Sequence, residues 1–125
     1  MKHSTFLSGL ALFAVVTIAH AHAHLKMSTP ADASVISVSP PSIVLKFSEA
    51  ARLTAAWIQK DDGPKRKLTH LADKPAVEVS VALPALEPGN YVISWRALSD
   101  DGHVMPGHIQ FTLSAHSSAD HPAQH

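Results

Sequence analysis

The chain reads as an all-β protein, a single antiparallel Greek-key β-sandwich of about seven strands. Three observations predict this. Apolar and polar residues alternate with a period of two in several separate windows. Clusters of Pro, Gly, Asp and Asn break those windows at short intervals. Beyond the first residues, no window carries a helical period.

The start of the chain is set apart from that pattern. Lys2 precedes an apolar run from Phe6 to Ile18, and the run ends in Ala19-His20-Ala21-His22-Ala23-His24. A basic start, a short apolar stretch and small residues at alternate positions make a secretory signal peptide. The run is about 13 residues long, well under the roughly 20 that span a bilayer. Cleavage after Ala21 exposes His22, and cleavage after Ala23 exposes His24. The expected organisation is a signal at 1–21, a β-sandwich domain at 22–115 and a flexible, His-containing tail at 116–125.

Within the domain, Ile43, Leu45 and Phe47 alternate with Val44 and Lys46, the mark of a strand with one face on a core. Ala55 to Lys60, around Trp57 and Ile58, reads as a second strand. Lys65-Arg66-Lys67 reads as a solvated turn. Val77, Val79 and Val81 alternate with Glu78 and Ser80 in a further strand. Tyr91, Ile93, Trp95 and Ala97 form the next, and Ile109, Phe111 and Leu113 the last. Pro40-Pro41, Asp61-Asp62-Gly63-Pro64, Pro84, Pro88-Gly89-Asn90 and Asp101-Gly102 supply the turns between them. Leu86 to Tyr91 has the form of a tyrosine corner, in which the phenol ties a loop to the next strand. Trp57, Trp95, Tyr91 and Phe111 are expected to pack the interior.

Composition removes several classes of function. Lys plus Arg and Asp plus Glu are equal at 10 each, so the basic stripe of a nucleic-acid binder is not expected. There is no cysteine, which excludes disulfides, thiolate chemistry, zinc fingers, iron–sulfur clusters and the blue-copper type of site. The neutral balance and small size point to a monomer. The chain does carry 10 histidines, and two groups of them stand out.

The first group is the mature N-terminus, where a free amine and the imidazole of His22 form a chelating end. The second is Asp101-Gly102-His103, on a loop between two strong strands. Gly102 permits a tight turn there, and loops at the end of a rigid sandwich are where binding sites are usually built. Taken alone, the same three residues also suit an ordinary exposed turn. Amine, His22, His103 and Asp101 together form a nitrogen and oxygen set that suits tetragonal Cu(II), with Ni(II) the geometric competitor. The amine must lose a proton to bind, so affinity is expected to fall in acid. His24 offers a rival: a free amine with His at the third position can wrap Cu(II) through two backbone nitrogens. His108 reads as a strand-edge histidine, a ligand or a partner of one, and His70 has no visible partner in the sequence.

His22-Ala23-His24-Leu25, Ser28-Thr29-Pro30-Ala31, Leu45-Lys46-Phe47-Ser48-Glu49, Pro88-Gly89-Asn90-Tyr91 and Ser99-Asp100-Asp101-Gly102-His103 occur in that order. Together they resemble the CopC family of periplasmic copper-resistance proteins, and most of all its short YobA-like members. The resemblance covers residues 22 to 114. It implies a cupredoxin-like or immunoglobulin-like β-sandwich, in a periplasmic, non-enzymatic protein that binds one Cu(II) per chain and buffers, sequesters or delivers it. It implies His22 and His103 as ligands, with Asp101 at or near the metal and Glu49 beside the site. It favours cleavage after Ala21. An inner-membrane copper transporter or a periplasmic copper acceptor is the implied class of partner. Met27 and Met105 stand far apart in the mature sequence, so a Met-rich Cu(I) site is not expected. Two other readings compete: an oxidative enzyme of the copper-brace type, and a plain immunoglobulin-like interaction domain with incidental histidines.

Overall fold

A computed structural model describes Gly9 and residues 23–115. The expected signal peptide, His22 and the tail histidines His116, His121 and His125 lie outside the described residues. Seven strands and no helix make up the described fold: β1 (Leu25–Thr29), β2 (Ser34–Ile36), β3 (Ser42–Lys60), β4 (Lys65–Lys67), β5 (Ala76–Ala82), β6 (Gly89–Ser99) and β7 (Val104–Leu113).

One strand serves both halves of the sandwich. The first part of β3, from Ser42 to Phe47, pairs with β1 and β5, and the second part, from Ala51 to Lys60, pairs with β6 and β4. The sheet curls between these parts, around Ser48 to Ala50, and so folds over itself. β7 and β2 complete the larger layer beyond β6. Most pairs are antiparallel as expected, but β2 lies parallel to β7. The two β3 strands expected at 43–47 and 55–60 are thus one long strand.

The core follows from alternation. Ile43, Leu45 and Phe47 of β3 and Val79 and Val81 of β5 face Tyr91, Ile93, Trp95 and Ala97 of β6 and Ile109, Phe111 and Leu113 of β7, all buried. Phe47 meets Trp95 edge-on at 6.5 Å between ring centres, joining the two layers, and Tyr91 stacks on Phe111 at 5.4 Å. Such contacts add to the area-based burial of each ring.

Trp57 is a correction. A register irregularity between Leu53 and Ala55 inserts one residue into β3 opposite β6. Leu53 faces inward, and past the bulge the inward positions become Ala56 and Ile58. Trp57 is thereby turned to the outer face. Its period-two position was right for a strand without a bulge. Lys65-Arg66-Lys67 is a second correction: the segment is a short exposed edge strand against Trp57, Ile58 and Gln59 rather than a turn.

The tyrosine corner forms as expected. Tyr91 Oη donates to the carbonyl of Glu87 at 2.5 Å, fixing the loop that leads into β6. Tyr91→Phe removes that donor while keeping the buried ring. It is expected to lower stability by about 1 kcal/mol in urea unfolding, the usual net worth of one such bond. An unchanged midpoint would show that the corner contributes packing only.

Candidate metal centre

β6 ends and β7 begins around the loop Asp100-Asp101-Gly102. The amide of Gly102 donates to the carbonyl of Ser99 at 3.0 Å, and the amide of Ser99 donates to the carbonyl of His103 at 3.0 Å. This is a three-residue hairpin loop, whose last residue needs a left-handed backbone. Gly102 supplies it, at φ +85°.

That turn folds Asp101 back onto His103. His103 Nδ1 lies 2.8 Å from Asp101 Oδ2, and the backbone amide of His103 donates to Asp101 Oδ1 at 3.3 Å. Ser99 Oγ donates to the same Oδ1. Ser99 is 6% exposed, the one buried polar side chain among the described residues. The Ser99 hydroxyl, first, and His103, second, hold the Asp101 carboxyl well below the usual carboxylate range. Its contribution to stability is present above the unfolded carboxylate value of about 3.9 and is lost as pH falls through the lowered folded value. The His103 side chain is 61% exposed. With Nδ1 turned to a carboxylate, a metal held by this ring would be held through Nε2, the arrangement in which a carboxylate orients an imidazole and raises its basicity.

The start of β1 converges on the same end. Ala23 is 1% exposed and, with His24, lines a cavity of about 140 Å³ whose other walls include Phe47, Trp95, Met105 and Gly107. Met105 follows His103 by two residues on β7, so the entry of the chain packs against the strand that leaves the Asp101–His103 loop. His24 is clamped by Ser48. Its amide donates to Ser48 Oγ at 3.0 Å, its carbonyl accepts from the Ser48 amide at 2.8 Å, and its Nδ1 lies 3.4 Å from Ser48 Oγ.

The remaining candidates fall in different places. Glu49 is exposed, beside Ser48 in the curl of β3. His108 pairs with Ser94 and is exposed on the outer face of the larger layer. It stands about 17 Å along β7 from His103, at the usual rise per residue. Among the described residues, no three His, Asp or Glu side chains gather as a metal cluster. The described residues bring together Asp101 and His103, and place His24 on the strand entry packed beside β7. Sequence reasoning missed Ser99 and Ser48. Ser99 had a signal: a hydroxyl at an inward position of β6, after Ile93, Trp95 and Ala97.

The model of the CopC domain family matches residues 25–114. The chain belongs to the CopC family. Protein YobA of Escherichia coli (strain K12) is 33% identical over 100 residues, covering 74% of this chain and 79% of the relative. Copper resistance protein C of Pseudomonas syringae pv. tomato is 34% identical over 109 residues, covering 79% and 86%. The crystal structure of CopC from Methylosinus trichosporium OB3b superposes with a TM-score of 0.67 at 29% identity, covering 78% of this chain and 98% of that one. The family match spans all seven strands, including both ends of β3 and the Asp101–His103 loop.

Proposed function

We propose that this CopC protein is a periplasmic, non-enzymatic carrier that binds one Cu(II) and buffers, sequesters or delivers it. The observation that carries the reading is the Asp101–His103 pair: an exposed imidazole, oriented by a carboxylate that a buried serine in turn holds. Relatives named copper resistance protein C supply the identity of the metal. In this reading His103 ligates through Nε2, Asp101 orients it, and His22 supplies its amine and imidazole. One peptide link joins His22 to Ala23, which is buried against the strand that follows His103. That tether supports a site shared between the two segments. Nitrogen donors from amine and imidazole suit Cu(II).

The rival chelate, wrapped around residues 22 to 24 alone, is disfavoured by the hydrogen bonds that tie His24 to Ser48. It needs the His24 backbone nitrogen as a deprotonated ligand, and that amide donates to Ser48. Wrapping would also lift Ala23 from its cavity. Met27, 60% exposed on β1, and Met105, on β7, stand on different layers, which gives no support to a thioether Cu(I) site.

The test is a Cu(II) titration of the chain beginning at His22, against the same chain with one glycine added ahead of it. The added residue moves the amine away from the imidazole and is expected to weaken binding by about 100-fold or more, since a ligand counts for at least as much as the groups that orient it. Equal affinity for the two forms would remove the N-terminal amine from the site.

A further inference from the structure

The register of the larger layer builds a second feature, on the face turned away from the core. Trp57 pairs with Lys67 on one side and Ser94 on the other, and Ser94 pairs with His108. Directly paired residues point to one face of a sheet, so these four side chains form a row across β4, β3, β6 and β7. Lys65, Gln59, Val92 and Gln110 form the next row. Arg96 sets its guanidinium 5.6 Å from the centre of the Trp57 ring. An open groove of about 630 Å³ runs over both rows and on to Arg96, lined among others by Trp57, Lys65, Val92, Arg96 and His108.

No Asp or Glu lines this groove, although the whole chain has as many acidic as basic residues. The face is therefore positive in a protein of zero formal charge. Lysines on an edge strand have an ordinary purpose, since they discourage edge-to-edge pairing. That accounts for Lys65 and Lys67 on β4. It does not account for Arg96, which stands on β6 with Ala55 of β3 paired on one side and Pro106 of β7 on the other.

We infer that this groove docks an extended acidic segment of a partner protein, with its carboxylates on Lys65, Lys67 and Arg96 and its chain lying over Trp57 and Val92. A concave strip of cations around an aromatic plane fits a chain better than a membrane surface, because Trp57 is half-buried with Arg96 against its ring. The groove and the cavity under Ala23 share Trp95, Pro106 and Gly107 as walls. A docked segment is thus held next to the metal end. That it brings acceptor ligands to the copper is the one step that rests on the function proposed above.

The experiment uses the mature chain, isotopically labelled, with an oligoglutamate peptide as the probe. Oligoglutamine of equal length and vesicles of anionic phospholipid serve as comparisons. Amide shifts are expected to concentrate on Val92, Ser94, Gly107 and His108, to saturate, and to shrink with added salt. The double substitution Lys65→Glu and Lys67→Glu, and separately Arg96→Gln, should weaken the interaction at least about tenfold while leaving Cu(II) affinity unchanged. Scattered shifts, equal shifts with oligoglutamine, indifference to both variants, or binding to vesicles but not to the peptide would each overturn the proposal. Copper and docking are read separately in the same samples. A chain that docks the peptide but binds no copper defeats the metal reading alone, and the converse defeats the groove alone.

Discussion

His103→Ala is expected to weaken Cu(II) binding by more than about 100-fold and to change the electron paramagnetic resonance signal of whatever copper remains. Groups that merely orient a ligand typically contribute roughly 10–100-fold to metal affinity, and His103 is read as a ligand itself. Asp101→Asn supplies the contrast. The amide oxygen can still accept from Nδ1, so the ring keeps its direction while losing the adjacent negative charge. Its loss is expected in the roughly 10–100-fold range, with the number of nitrogen ligands unchanged in the spectrum. A His103→Ala protein with the native affinity and spectrum would mean that copper is held at residues 22–24 alone. Because the lowered Asp101 carboxyl is ionised throughout the neutral and mildly acid range, any fall in affinity there belongs to protons competing for the nitrogen donors.

Gly107→Ala is expected to cost about 1–3 kcal/mol of stability, the usual range for overpacking a core. A Cβ at this position would stand 2.5 Å from Trp95 Cζ2, 2.6 Å from Cε2 and 2.8 Å from Nε1. Trp95 cannot swing aside, being 4% exposed and set edge-on against Phe47. β7 must therefore shift outward, at a point where the main groove and the N-terminal cavity share a wall. Against a typical total of about 5–15 kcal/mol, that is a large fraction, readable as a lower urea midpoint at unchanged slope. In a Trp95→Phe background the smaller ring leaves room, and the same substitution should cost less. A penalty that is equal in both backgrounds would place its origin in the backbone rather than in the indole contact.

Much of the fold was legible because alternation is a local property. Tyr91, Ile93, Trp95 and Ala97 announce their inward face without reference to any other strand, and Ile109, Phe111 and Leu113 do the same. The Gly102 turn and the Tyr91 corner were legible for the same reason, since each is closed by residues a few positions apart. Trp57 shows where this reasoning stops. Its face depends on one inserted residue near Thr54, and a bulge is defined only against the partner strand β6. The basic segment 65–67 was misplaced likewise, since three exposed cations become a strand only when the edge of β3 is there to pair with them.

At the proposed metal site, the sequence by itself pointed to the family, through the order of its motifs, and allowed Asp101 to meet His103, through a three-residue loop that ends on Gly102. The tertiary structure alone decided what stands behind them. It set Ser99 beneath the carboxylate, clamped His24 to Ser48 across 24 positions of chain, and buried Ala23 against the strand that leaves the loop. It also gathered Trp57, Arg96, Lys65 and His108 from four strands onto one outer face. The physical reason is common to all of these. A strand's own side chains follow a two-residue period, but which strands lie side by side, and in what register, is settled by burial of the whole core.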